Sequence, residues 1–366
     1  MKIALVVDYL KTGGAERQVL ITAAELGKLG HHVEIITYRS DIEFEEFILK
    51  NALTIVPIKA GGFTRIGRVW ELSRHLRRGH FDVVHAFKGT PTIFAALAAR
   101  MAGIKPVFGG YRAEYVQGTL FKAAHLCIDR LLSGWIVNSQ TIADSMSAAV
   151  GIAAQRFFVV YNFINPATFI SGLSRDAAKS NMGIAAGDYV ITQVARLSPE
   201  KNHYLFLDMA TIVLQQRSDV TFLVVGDGPL RAALEDRAQS SGIAKKVRFL
   251  GTRSDIPDIL SATDVSVLTS TREGFPNALI ESMCLGVPVV TTDYKAATEL
   301  MSDGRQGFIV PGNNPAALAE KIHMLLNDAP SRARIGLTGK KMVEERFSPA
   351  AMVQTLVSIY RRGIES

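Results

Sequence analysis

The chain holds 366 residues, 48% hydrophobic and 20% charged, which describes a globular protein with ample core and more length than one domain usually takes. No run of about 18 uncharged apolar residues occurs, so no membrane span is expected; Cys127 and Cys284, far apart in apolar surroundings, exclude a disulfide framework or cysteine metal site and point to the cytoplasm. The net charge of +7 is uneven, since residues 1–170 hold 19 Lys and Arg against 13 Asp and Glu, leaving +1 for the remainder.

The first stretch, KIALVV (2–7), reads as a strand entering a glycine turn, KTGGAER (11–17), and not as a signal peptide: the apolar run is short and no small-residue cleavage site follows. Gly13 and Gly14 let the backbone approach a ligand, and the helix that follows directs free N–H groups at it, as an anion cradle does and as routine loops also do. HVEIIT (32–37) is the second strand. The run 63–80 then sets Phe63, Ile66, Val69, Trp70 and Leu72 among Arg65, Arg68, Arg74, Arg77 and Arg78. It suits a helix packed by its apolar stripe on the sheet, or an interfacial helix that meets an anionic membrane or acceptor. Nucleic acid is not expected, because no basic run interleaved with stacking aromatics occurs.

Strands follow at DVVHAF (82–87), PVFGG (106–110), WIVNS (135–139) and FFVVYN (157–162), the second of these leading into Tyr111 and Arg112. NFINPATFISG (162–172) breaks the pattern. The rhythm resumes with YVITQV (189–194), whose loop ARLSPEKNH (195–203) carries Arg196 and Lys201 at a helix start, a placement suited to a diphosphate. VTFLVVG (220–226) runs into GDGPLR, which lacks the third glycine of a dinucleotide fingerprint. KVRFLG (246–251), DVSVLT (264–269) and VPVVTT (287–292) complete the series, and 350–365 reads as a terminal helix. Between the last two strands lies EGFPNALIESM (273–283), with Glu273 in a Gly-Pro turn and Glu281 expected two helical turns further on, on roughly the same face.

Continuous apolar strands alternating with helices mean parallel sheets covered on both faces. Two series mean two doubly wound, Rossmann-like α/β domains, at 1–165 (with helix 350–366 packing back) and 170–349, facing across a cleft. Ligands of such sheets bind outside the carboxyl ends of the strands, where the segments quoted above lie.

ARLSPEKN, VGDGPLR, VRFLGTRSD and STREGFPNALIESMCLGVPVVTTD, in this order over most of the second half, with GGAER in the first, resemble the motifs of the family 4 glycosyltransferases, which have the GT-B fold. The resemblance implies retaining, metal-independent transfer from a nucleotide-sugar bound by residues 170–349, the first domain being the acceptor side. It implies that Arg196 and Lys201 neutralise the leaving diphosphate, that Glu273 holds donor-sugar hydroxyls, and that backbone amides of Gly274, Phe275, Pro276, Asn277 and Ala278 support sugar and phosphate, Pro276 contributing turn geometry only. Glu281 matches the ribose carboxylate and Arg253 a position beside the base, with Gly13, Gly14 and Gly226 completing the donor site. Preorganised cations and amides suit a diphosphate leaving group, and no Asp-x-Asp for a metal occurs in the chain. A guanidinium at Arg253 suits the uracil of a UDP-sugar, guanine of a GDP-sugar being the alternative.

The chain departs from the family pattern at 106–116, where a His often faces the donor sugar and Tyr111 and Arg112 stand instead; Arg112 is read as reaching toward an anionic acceptor, and His85 as packing or bonding locally. YKAATE (294–299) lacks the Gly-Gly often found before Glu299, which leaves Glu299 a donor-side candidate. The expected partners are a nucleotide-sugar, an anionic or lipid-linked acceptor and an anionic inner-membrane surface, with no cofactor. A nucleotide-sugar epimerase on the same fold, a nucleotide-sugar sensor and a dehydrogenase are the other readings; the first needs acid/base groups on both sides of the sugar that the sequence does not offer.

Overall fold

The computed structural model describes residues 1–11, 13–58, 65–112 and 118–365. The first series of elements is β1 (Lys2–Val7), α1 (Gly14–Lys28), β2 (His32–Thr37), α2 (Glu45–Lys50), β3 (Thr54–Pro57), α3 (Arg65–Gly79), β4 (Val83–Ala86), α4 (Gly89–Ala102), β5 (Val107–Tyr111), α5 (Thr119–Asp129), β6 (Gly134–Val137), α6 (Gln140–Val150) and β7 (Phe157–Val159). The second is α7 (Arg175–Asn181), β8 (Tyr189–Val194), α8 (His203–Gln216), β9 (Val220–Val225), α9 (Arg231–Ser240), β10 (Val247–Gly251), α10 (Ile256–Ala262), β11 (Val265–Leu268), α11 (Asn277–Cys284), β12 (Val289–Thr292), α12 (Lys295–Leu300), β13 (Gly307–Val310), α13 (Pro315–Asn327) and α14 (Ala329–Arg346), with α15 (Pro349–Glu365) closing the chain. The chain divides into two units, Met1–Phe163 with Pro349–Ser366, and Ile164–Ser348.

The first unit holds a seven-stranded parallel sheet in the order β3-β2-β1-β4-β5-β6-β7. One face is covered by α3, α4, α5 and α6 through residues such as Leu72, Leu76, Ala95 and Met146. The other is covered by α1 and by α15, whose Val353, Leu356, Ile359 and Tyr360 pack on Ile3, Leu5, Phe87 and Phe108. Tyr360 is fully buried and pairs its hydroxyl with His85 Nδ1 at 2.7 Å. His85 therefore serves the core, and burial, reinforced by the nearby Arg112, holds its imidazole neutral.

The second unit holds a six-stranded parallel sheet in the order β10-β9-β8-β11-β12-β13. β8, β9 and β11 are central and almost wholly buried, Thr192, Gln193, Thr221 and Ser266 included, as strands covered on both faces are. β3 and β13, four residues each at sheet edges, were not expected from the sequence, where such short runs do not stand out. Several expected strands end early. β6 stops at Val137 because Ser139 caps α6, accepting a hydrogen bond from the Ile142 amide at 3.1 Å.

α3 separates the apolar residues expected along 63–80. Leu72 is buried and Val69 half-buried against the unit, whereas Ile66 and Trp70 are 80% and 53% exposed. Arg74 lies over the Trp70 ring at 4.8 Å and pairs with Glu71 at 2.6 Å, and Arg77 donates to the Met101 carbonyl. Phe63 and the side chain of Arg65 lie outside the described residues.

Candidate active site

In the second sheet the strand order reverses between β8 and β11, which pair directly through Val265↔Ile191 and Ser266↔Thr192. Crevices at such reversals, outside the carboxyl ends of strands, are where open α/β sheets hold ligands. The loops after these two strands bring Lys201 and Glu273 together in an ion pair, 20% and 11% exposed at their side chains. Ser270 donates to the same Glu273 oxygen at 2.6 Å. Beneath them Thr269 donates 3.0 Å to the Lys201 carbonyl and Gln193 donates 3.3 Å to it, so the backbone carrying Lys201 is tied to both strands. The Thr271 amide closes the arrangement on the Glu200 carbonyl at 2.9 Å.

Arg196 stands exposed on the same loop, and no carboxylate pairs with it among the described residues. An exposed cation beside a fixed, half-buried one can grip a diphosphate, since each adds charge-assisted hydrogen bonds.

The turn 273–276 differs from the expectation. Glu273 lies before the helix, which starts only at Asn277 after Pro276, so Glu273 and Glu281 are not two helical turns apart on one face; Glu281 sits in the second turn of α11, half-buried. The Phe275 ring is buried and packs 5.6 Å from Phe347, leaving only its backbone for a ligand. Pro276 is buried, while Gly274, Asn277 and Ala278 are half-buried. Ala278 belongs to the first turn of α11, where the Asn277 amide donates to the Phe275 carbonyl and the Leu279 amide to the Pro276 carbonyl, at 3.0 and 3.1 Å. Glu299 lies half-buried in α12, after β12.

Two other residues sit at neighbouring strand ends. Gly226, φ +134°, passes so close to the β8 loop that a Cβ would lie 2.1 Å from the Ala195 carbonyl oxygen, a requirement of close backbone approach. The Arg253 guanidinium forms a fork on Asp255, with Nε donating at 2.7 Å to one carboxylate oxygen, a pairing that engages its edge and not its flat face.

The reversal in the first sheet lies between β1 and β4, and it too holds a carboxylate–lysine pair. Glu16 bends back over the N-terminus of its own helix beside Gly13, where a Cβ would lie 2.4 Å from a Glu16 oxygen, and pairs with Lys88 after β4. The cradle expected at Gly13 and Gly14 thus already holds an anion, the protein's own. Lys88 also lies 4.5 Å over the Tyr9 ring, and burial raises the carboxyl pKa of the adjacent Asp8 against the lowering effect of Lys88 and Arg39. Tyr111 turns its ring into the core against Trp135, 5.1 Å away, and Arg112 stacks 4.7 Å over Phe87.

Ser270, Thr269, Gln193, Asp8 and Glu16 were not among the residues picked from the sequence; only adjacency of strands far apart in the chain reveals them. His203, the first residue of α8, is buried with both ring nitrogens without a partner, and burial followed by the nearby Lys201 charge lowers its pKa to about 4.

The family Glycosyl transferases group 1 matches residues 174–342, and Glycosyltransferase Family 4 matches residues 12–168. EpsF of Bacillus subtilis (strain 168), named as a glycosyltransferase, is 30% identical over 100% of this chain and 97% of its own length. An undecaprenyl-diphosphate-linked-glycan α-1,4-N-acetyl-D-galactosaminyltransferase of Campylobacter jejuni is 27% identical over 94% of each chain. Anabaena HepE, solved with UDP and glucose, superposes with a TM-score of 0.87 at 23% identity, covering 99% of this chain and 100% of HepE. With its two parallel α/β sheets, the chain belongs to the family 4 glycosyltransferases, enzymes of the GT-B fold.

Proposed function

We propose that the enzyme moves a sugar from a UDP-sugar to a lipid-linked or polysaccharide acceptor, with retention at the anomeric carbon and without a metal. The observation that carries this reading is the Lys201–Glu273 pair at the strand-order reversal, with the unpaired Arg196 on the same loop. As the anomeric bond breaks, negative charge grows on the diphosphate, and Arg196, Lys201 and the Ala278 amide at the start of α11 stabilise it there. Glu273, held by Ser270, keeps its second oxygen for sugar hydroxyls, and Glu281 takes the ribose. The leaving phosphate accepts the acceptor proton on the same face.

UDP as the nucleotude is supported by the HepE complexes with UDP and UDP-glucose and by the flat face of Arg253. A lipid-linked acceptor is supported by the undecaprenyl-diphosphate glycan named for the Campylobacter relative. Residues 1–163 with 349–366 carry the whole net charge of +7, residues 164–348 being balanced at 20 of each sign. Exposed Ile66 and Trp70 beside Arg74 and Arg78 on α3 suit peripheral contact with an anionic membrane, at its cytoplasmic face. The deciding experiment incubates the protein with UDP-sugars and an isoprenyl-diphosphate-linked sugar. Free UDP with an extended glycolipid supports transfer; an epimerised sugar nucleotide without free UDP overturns it.

A further inference from the structure

At the carboxyl edge of the first sheet, β5, β6 and β7 end side by side in register, with Tyr111 opposite Val137 and Val137 opposite Val159. The next residues on β5 and β6, Arg112 and Asn138, are therefore neighbours. Side chains alternate along a strand, and Ile136 and Phe108 pack toward α1 and α15, so Asn138 and Arg112 fall on that same face. Arg112 makes one hydrogen bond, from Nη1 to Asn162 Oδ1 at 2.9 Å, and its guanidinium lies flat over Phe87. Its Nε is fully buried without a partner, as is Asn138 Oδ1. No carboxylate pairs with Arg112 among the described residues, although the residue as a whole is only partly covered.

A half-buried guanidinium held without an anion is costly, because it gives up hydration and receives no opposite charge in return. The desolvation is strong enough to lower its pKa to about 10. The core does not need the charge: the neighbouring His85 is neutral and already bonded to Tyr360. A dead-end strut would be satisfied by its own contacts, and this one is not.

We propose that Arg112, flanked by Asn138 and Asn162, is a subsite for the carboxylate of an acidic sugar. The charge count selects the ligand. One guanidinium balances one carboxylate, whereas a phosphate dianion would leave a second charge uncompensated in the same half-buried place. The planar Nη edge of Arg112, on a residue that is only partly covered, matches two carboxylate oxygens, while buried Asn138 borders it from within. The assignment rests on the glycosyl-transfer reading and adds to it a requirement on the sugar. The carboxylate belongs either to the transferred sugar or to the acceptor sugar, and the two sources are separable.

Binding to the full-length protein is compared by calorimetry in two arms. UDP-glucuronic acid is set against UDP-glucose for the donor, and methyl glucuronide against methyl glucoside, with saturating UDP present, for the acceptor. In one arm the carboxylated probe should bind about tenfold tighter, and Arg112→Met should reduce that preference to less than about twofold while leaving UDP affinity unchanged. Asn138→Asp, which supplies Arg112 with an internal anion and keeps the region charge-paired, should remove the preference as well. Equal affinities within both arms of the wild-type protein overturn the proposal whatever the variants do, as does a preference that survives in both variants. Failure to bind UDP at all overturns the transferase reading and the subsite with it.

Discussion

Lys201 and Glu273 neutralise each other across the junction of two adjacent strands, and Ser270 donates to the shared Glu273 oxygen. Before any substrate arrives, the cation assigned to the diphosphate and the carboxylate assigned to the sugar are therefore already positioned by one another. The charges are preorganised, which is the condition under which fixed groups stabilise a transition state most.

Replacing Glu273 or Lys201 by Ala should lower kcat/KM by roughly 10²–10³ while the protein stays folded, as measured by UDP release and circular dichroism. Each single variant leaves one half-buried charge unmatched, so the Lys201→Ala/Glu273→Ala double variant should be more stable than the sum of the single losses predicts. Urea unfolding should give a coupling of about 1–3 kcal/mol between the sites. Strictly additive stabilities, or normal turnover in either single variant, would show that the pair is not part of the site.

Transfer should proceed at full rate in EDTA. In the proposed reaction Arg196 and Lys201 supply the charge that a divalent ion supplies elsewhere. Strict dependence on added Mg²⁺ or Mn²⁺ contradicts this account of the leaving group.

UDP should raise the melting temperature more than GDP at equal concentration, because a ligand of the folded state stabilises by its own affinity. Arg253→Ala should shrink the UDP shift, since it removes the flat surface beneath the base. A larger shift with GDP would reassign the donor to a GDP-sugar.

Vesicle co-sedimentation addresses the face of α3. Binding should require anionic lipid, fall with salt, and weaken in a Trp70→Ala variant and in an Arg74→Gln/Arg78→Gln variant, each Lys or Arg near such a surface contributing about 1 kcal/mol. Equal binding to neutral vesicles removes the membrane assignment.

His203 makes stability depend on pH. Its folded pKa of about 4 lies below the unfolded value near 6.5, so between them the unfolded chain binds a proton that the folded chain does not. Stability should therefore fall as pH drops from about 6.5 toward 4, by about 2 kcal/mol between pH 7 and 5 from this residue. Urea midpoints at the two pH values should be closer together in His203→Gln than in the parent protein. An unchanged gap would mean that His203 does not titrate in this way.

Much of the architecture is readable from the chain alone, because six-residue runs rich in Val and Ile such as β1, β2 and β8 match their expected ends. Glu273 lies in the turn and Glu281 in the helix as the sequence indicates, but Pro276 delays the helix to Asn277, so fewer than two helical turns separate them. Phe275 looks like a ligand contact in sequence, yet its ring has a partner, Phe347, that only the fold supplies. The cradle at Gly13 and Gly14 was legible as geometry, while its occupation by Glu16 depends on Lys88 arriving from β4. Arg253 illustrates the converse, for its partner Asp255 lies two residues along in the same quoted motif.

The helix α15 belongs to the first unit although 185 residues of the second unit separate it from β7 and the linker that follows. The order of synthesis therefore runs against the order of assembly. Ile164–Ser348 leaves the ribosome as one continuous piece and can complete its core first. The first unit must wait with the face of Ile3, Leu5, Phe87 and Phe108 uncovered, and with His85 lacking the Tyr360 hydroxyl, until the seventeen residues of α15 are made. A chain interrupted before Pro349 would keep all of the second unit and still fail to finish the first, so a helix made after the whole of the second unit acts as the checkpoint for a unit begun before it.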